Sequence, residues 1–360
     1  MKCKLADICE YVKGKIDVSS LTEKNYISTE NMIPDKGGIT LASSLPTTSQ
    51  TQVYCKGDIL ISNIRPYFKK IWFAEFDGGC SNDVLVFRAK KGVDKRFLYY
   101  VLADDSFFDY SMSTSKGTKM PRGDKTAIMK YEVPDVSFEL QERIAKTLGV
   151  FDEKIQLNRA MNRILEDQAD TIYKAWFEDL IPFEGVQPDT WKRGTFGSMV
   201  VITSGKRPPV KSAMRTEVAS IPLVGAASVM GYTTEANHTD RILVTGRVGT
   251  HGVVQRLNTA CWASDNTLVI TSKYYEYAYQ ILKRIDYRSM NRGSTQPLIT
   301  QGDMNKTSII IPDKDSLERF EAVAGRIMEQ YEANVLENDR LAEIRNFLIP
   351  RLLSESISYV

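Results

Sequence analysis

The sequence predicts an α+β protein in which two strand-rich domains in pseudo-twofold tandem are separated by an antiparallel two-helix coiled coil. Three observations predict it. The chain repeats itself once. Each copy opens with short β-branched runs punctuated by Gly, Pro, Asn and Asp, and each closes in a long stretch almost free of breakers with a seven-residue apolar period.

The repeat can be followed along the chain. Lys4-Leu5-Ala6-Asp7-Ile8 with Gly14-Lys15 returns as Thr195-Phe196-Gly197-Ser198-Met199 with Gly205-Lys206, 191 residues on. Ile59-Leu60-Ile61-Ser62 matches Ile242-Leu243-Val244-Thr245, and Ser81-Asn82-Asp83 matches Ser264-Asp265-Asn266, both at 183. Val133-Pro134-Asp135 matches Ile311-Pro312-Asp313 at 178, and Glu142-Arg143-Ile144 matches Glu318-Arg319-Phe320 at 176. The falling interval makes the second copy the shorter one, with its deletions in the globular part. The boundaries read as a first domain over 1–138, a spacer helix over 139–181, a second domain over 182–315, a second long helix over 316–353 and a tail over 354–360. Shorter helices are expected over 95–102 and 274–285.

In the first long helix Ile144, Phe151, Asn158, Leu165 and Ile172 recur every seven residues, with Leu148, Ile155, Asn162, Ala169 and Trp176 four further on. Phe320, Ile327, Asn334, Leu341 and Leu348, with Ala324, Tyr331, Asn338, Arg345 and Leu352, form the second stripe. At about 1.5 Å per residue the first stripe runs roughly 50 Å. The paired asparagines predict a polar layer that sets register. An antiparallel pairing about a pseudo-twofold makes facing position numbers add to 496, so Asn158 meets Asn338 and Asn162 meets Asn334. The one mismatch is Phe151 against Arg345, which is expected to lay its stem on the ring and reach water with its charge.

The chain has 360 residues, 42% hydrophobic and 26% charged, an ordinary globular composition that argues against a disordered or fibrous chain. Its longest apolar runs are strand-length, so no membrane span is expected, and the charged start lacks a signal-peptide core, which reads as cytoplasmic. Five scattered cysteines without a Cys-x-x-Cys pair and only two histidines, His238 and His251, indicate neither a disulfide framework nor a metal site. Net charge is only +2, but it is segregated: +2 over 1–139, −4 over 140–189, +7 over 190–315 and −3 over 316–360. The second domain therefore suits a polyanion.

Catalytic signatures are missing. The one Pro-Pro, Pro208-Pro209, lacks the flanking Asn/Asp and aromatic residue of an adenine methyltransferase, and no phosphate-binding Gly-x-x-x-x-Gly-Lys motif occurs. Pro134-Asp135 with Asp152-Glu153-Lys154 imitates a metal-dependent nuclease motif, but Asp152 and Lys154 fall two apart on a helix and diverge. No cofactor, metal or catalytic residue is expected.

Val133-Pro134-Asp135-Val136-Ser137-Phe138-Glu139-Leu140-Gln141-Glu142-Arg143-Ile144-Ala145 and Gly293-Ser294-Thr295-Gln296-Pro297-Leu298 carry a resemblance. Ile221-Pro222-Leu223-Val224-Gly225 with Gly231-Tyr232 and the looser Ser115–Arg122 loop extend it. In this order, doubled, the phrases resemble the specificity subunits of type I restriction-modification systems, over essentially the whole chain. The resemblance implies a non-catalytic subunit whose two target recognition domains each read half of a split double-stranded DNA target. It also implies helices that set the spacing, a pair of docked methyltransferase subunits, and restriction subunits joined through them. A stand-alone DNA-binding regulator and a coiled-coil scaffold are the alternatives. Candidate DNA contacts are Arg65, Lys69, Lys70, Lys116, Lys119, Arg122 and Lys125 in the first domain, and Lys206, Arg207, Lys211, Arg247, Arg292 and Gln296 in the second.

Overall fold

The computed structural model describes residues 2–213, 215–290, 292 and 298–354. It divides into two compact units, Met1–Leu157 with Glu337–Val360, and Asn158–Leu336. The cut falls within both long helices, so each unit holds one strand-rich domain and a stretch of each helix.

In the first unit, Cys9–Tyr11, Val84–Ala89, Ile59–Ser62 and Ile71–Phe73 form an antiparallel sheet in that order. Successive side chains face opposite ways, and both faces are covered. Ile59, Ile61, Leu85 and Phe87 pack against the helices Lys95–Ala103 and Asp105–Ser113 and against Ile144, Leu148 and Ile349 of the long helices. Leu60, Val84 and Val86 pack instead with Ile27, Tyr54 and Cys80 of a second sheet. That sheet is ordered Lys15–Asp17, Gln50–Tyr54, Gly78–Cys80 and Tyr26–Ile27, its last pair parallel. Burial on both faces explains why these strands read as unbroken apolar runs. Asp94 caps the 95–103 helix through the Phe97 N–H at 2.7 Å, and its own N–H is held by the Gln141 side chain of the long helix.

The second unit repeats the plan. Val201–Ser204, Thr267–Thr271, Ile242–Gly246 and Val254–Leu257 make the antiparallel sheet, and Val229–Thr233, Ile221–Val224 and Trp262–Ala263 the smaller one. The copies correspond differently from the sequence match at one strand. Val84 and Thr267 each close the same turn, on Ser81 and Ser264, and lie opposite Ser62 and Gly246 respectively. Ile59 thus corresponds to Leu243, an interval of 184 rather than 183. A one-residue slip exchanges the two faces of a strand. Leu243 shares the helix-side core with Leu268 and Ile270, whereas Ile242 and Val244 face the other sheet. Because both faces are apolar, residue type alone could not distinguish the registers.

The long helices span Phe138–Tyr173 and Lys314–Leu353. They run antiparallel within each unit: Ile144 and Leu148 share a core with Leu348, Ile349 and Leu352, and Lys154 pairs with Glu337 at 3.2 Å. In the second unit Asn334 donates to Asn162 Oδ1 at 2.8 Å, Asn162 donates to the Tyr331 carbonyl, and the rings of Trp176 and Phe320 lie 6.2 Å apart. The position numbers of Asn162 and Asn334, and of Trp176 and Phe320, each add to 496. Asn158 is buried in the second unit, and Asn338, half-buried, belongs to the first.

Two expectations about these helices are corrected. Arg345 does not reach water: its side chain is 6% exposed and forms an ion pair with Asp152 on the same helix pair. A buried guanidinium next to a carboxylate loses less than one facing a ring alone. The first helix also stops short of residue 181, passing at Lys174–Glu178 into a π-turn. The wider turn lets Trp176 and Phe177, adjacent in sequence, both meet Phe320, with ring centroids 6.2 and 5.1 Å away.

Candidate nucleic-acid interface

Each unit builds the same backbone frame beyond the central strand of its larger sheet. In the first, Asn63 donates its N–H to the Asp83 carbonyl at 2.8 Å and accepts from the Gly123 N–H. Lys116 and Arg122 exchange N–H···O bonds of 2.9 Å, and Ile64 bridges to Arg122. In the second, Arg247 donates to the Asn266 carbonyl at 2.8 Å and accepts from the Ile299 N–H at 2.9 Å. The Arg292 N–H donates to the Leu298 carbonyl, and Val248 bridges to Leu298. The 116–122 and 292–298 segments thus close in the same way at an interval of 176. Gln296, with 293–297, lies outside the described residues.

The frame turns through the left-handed region at the next position, where Gly249 has φ +87° and Arg65 has φ +51°. Glycine takes that conformation freely, whereas a side chain there costs about 1 kcal/mol. Arg65 is additionally tied by its N–H to the Pro121 carbonyl at 2.8 Å, and its Nε is buried without a partner.

The candidate cations fall into three groups. Lys116 pairs with Asp124 at 2.6 Å, Arg122 with Asp83 at 3.1 Å, and Arg292 with Asp303. The Lys116 ammonium, followed by the Ala127 and Thr126 N–H groups, pulls the Asp124 carboxyl down to about 2. The Thr300 hydroxyl foremost, and Arg292 with it, holds Asp303 below the usual carboxylate range. Lys69 and Lys70 are committed inward. Lys69 joins Lys36 on Asp105 at 2.9 and 2.8 Å, and Lys70 donates to the Thr29 carbonyl at 2.7 Å, with burial lowering its ammonium from the ordinary lysine value. Lys119, Lys125, Lys206, Arg207 and Lys211 are exposed, while Arg247 is half-buried.

Sequence reasoning missed Asp83, Asp124 and Asp303, although Asp83 closes the repeated Ser81-Asn82-Asp83 turn and so carried a signal. It also missed a hydroxyl-rich cleft of about 460 Å³ beside Asp83, lined by Ser28, Thr29, Asn31, Ser43 and Ser81. The nuclease-like residues are otherwise engaged: Asp152 accepts from the Tyr100 hydroxyl at 2.6 Å and pairs with Arg345, and Lys154 pairs with Glu337. Burial pushes the Cys9 and Cys80 thiols up to about 12, far from a reactive thiolate.

Lys206, Arg207 and Lys211 make no ion pair among the described residues. Replacing all three by alanine is expected to weaken DNA binding and to flatten its log–log salt dependence by up to about 0.9 for each phosphate no longer neutralised. Titrating binding against salt checks this, and an unchanged slope removes the stretch from the DNA face.

A strand-rich domain, duplicated and presenting one loop frame with exposed cations around it per copy, alternates with long helices that run antiparallel within each unit, a class of architecture suited to nucleic-acid recognition. The chain belongs to the type I restriction-modification DNA specificity domain family, whose model matches residues 1–167 and again 188–346. It is a specificity subunit of that class. It is similar to the type I restriction enzyme MjaIX specificity subunit of Methanocaldococcus jannaschii, 23% identical over 96% of this chain and 88% of that protein. The HindI specificity subunit of Haemophilus influenzae is 22% identical over 98% of each chain. The crystal structure of a type I system S subunit from M. genitalium matches with a TM-score of 0.54 at 17% identity, over 99% of this chain and 96% of that one. No helix among the described residues is long and apolar enough to cross a membrane.

Proposed function

We propose that the chain is the non-catalytic reader of a bipartite double-stranded DNA target, each half being read by one recognition domain, residues 1–138 and 182–315. The observation that carries this is the recurrence of one loop frame, at matched positions, in both copies. Phosphates are met by the exposed cations around each frame, and base edges by the frame residues themselves. The Asn162–Asn334 layer supports helices of fixed register, which set the spacing between half-sites.

The long helices dock a pair of methyltransferase subunits, and restriction subunits join through these. Outward apolar residues support the docking: Val150, Leu157, Ile344 and Phe347 in the first unit, and Met161, Ile164, Val323 and Val335 in the second, are all exposed. Rows of this kind on a helix are the usual seat of a partner's amphipathic helix. The complex works on genomic DNA in the cytoplasm.

The test is domain exchange. Replacing residues 190–315 with the corresponding segment of a relative, then mapping methylated adenines in a host expressing the complex, is expected to change one half-site and leave the other unaltered. A change in both halves would sink the two-reader model.

A further inference from the structure

Resting on the two-domain reading, we propose that each domain reads one guanine through a single arginine at the base of its loop frame, Arg122 in the first domain and Arg292 in the second. The two residues stand at opposite ends of corresponding loop closures. In the first unit the bridged pair is Lys116 and Arg122; at the corresponding positions of the second, the Arg292 N–H donates to the Leu298 carbonyl. Each loop-closing pair therefore holds one arginine, at the far end of the loop in the first domain and at the near end in the second.

Both arginines are held by a carboxylate from a neighbouring segment. Asp83, in the turn before the Val84–Ala89 strand, takes Arg122 Nη2 at 3.1 Å, and Asp303, in the helix after the second frame, takes Arg292 Nη2. Their side chains remain 56% and 66% exposed, so the rest of each guanidinium is open. The ion pair bears on which part of DNA such a group suits. Lys116 is balanced by Asp124 and Arg122 by Asp83, so the two loop-closing cations add no net charge, and the carboxylates beside them would repel phosphate. A neutralised, oriented guanidinium keeps its planar fork of donors, which fits O6 and N7 of guanine. The surrounding exposed cations, Lys119 and Lys125 in one domain and Lys206, Arg207 and Lys211 in the other, supply the phosphate attraction instead.

The backbone supports this division. Arg122 is fixed by two backbone hydrogen bonds with Lys116, and Arg292 by its N–H to the Leu298 carbonyl, so each guanidinium starts from a defined backbone position. The difference between copies follows as well: with Leu298 where the first domain has Arg122, the two domains are built to read different half-sites.

Lysine substitution separates base reading from phosphate contact, because it keeps the charge and loses the fork. The full chain, in complex with its methyltransferase subunits, is used as wild type, Arg122→Lys and Arg292→Lys, and methylated adenines are mapped genome-wide. Each variant is expected to relax one G·C position, Arg122→Lys in one half-site and Arg292→Lys in the other, with discrimination there falling roughly 5- to 150-fold. Arg122→Gln is expected to shift that same position toward adenine, a gain that misfolding cannot imitate. If a variant methylates too little to map, competition binding with oligonucleotides substituted at each position gives the same reading. A preserved motif with uniformly lower methylation overturns the proposal, as does relaxation of the same half-site by both lysine variants. A wild-type motif that is continuous rather than bipartite overturns the two-domain reading itself, an outcome distinct from either.

Discussion

Asp152→Ala is expected to destabilise the first unit by about 3–5 kcal/mol, the cost of leaving a buried guanidinium without its counter-charge. Arg345 is 6% exposed and faces Asp152, which also accepts the Tyr100 hydroxyl at 2.6 Å. The substitution therefore strands a cation and a hydroxyl together. Hydrogen exchange over residues 138–157 and 337–353 should accelerate, while that over 190–315 stays unchanged. Because a buried pair often contributes little over apolar residues of similar shape, Asp152→Leu with Arg345→Met and Tyr100→Phe should recover most of the loss. A loss under about 1 kcal/mol for Asp152→Ala, the range of an exposed pair, would show that this contact does not anchor the helices to the first domain.

Glu276→Ala is the counterpart in the second unit, with an expected cost again of about 3–5 kcal/mol. Glu276, 2% exposed, holds Arg256 and Arg241 at 2.6 Å each, and Glu332 of the long helix closes the group at 2.7 and 2.8 Å. The Tyr275 ring lies 3.9 Å from the Arg241 guanidinium and 4.9 Å from that of Arg256. Without Glu276, two cations share one carboxylate, and Arg256 has no route to water. Glu332→Ala should cost less, because Glu276 still serves both arginines. Urea unfolding of the full chain, followed by tryptophan fluorescence, to which Trp176, Trp191 and Trp262 of the second unit contribute, ranks the two variants. An equal or larger effect for Glu332 would mean that the helix rather than the domain core supplies the essential charge.

These two clusters use the same chemistry, a buried arginine–carboxylate pair beside a tyrosine, on unrelated residues of the two copies. Neither was legible in the sequence. Asp152 and Arg345 lie 193 residues apart, and Arg256 and Glu332 lie 76 apart, with no local pattern to join them. Arg345 was visible only as an interruption in an apolar stripe, and its natural reading was a side chain escaping to water.

The repeat, the two helices and their heptads could be read directly, because an amphipathic helix and a repeated unit write their periods into neighbouring positions. The asparagine layer was legible for the same reason: Asn162 and Asn334 occupy the same kind of position in two stripes, and the hydrogen bond between them joins what the spacing aligned. The family phrases were visible as words, and the candidate cations as residue types.

What only the tertiary structure decided is direction and pairing. It set Leu243 rather than Ile242 against Leu268 and Ile270, because a strand buried on both faces offers no polar mark of register. It turned Lys69 and Lys70 inward, left Lys206, Arg207 and Lys211 outward, and placed Asp83 and Asp303 behind Arg122 and Arg292. Sequence determines which residues carry charge and at what period they recur. Whether a given charge is spent inside the fold or offered outside it depends on partners tens of residues away, which only the folded chain brings within reach.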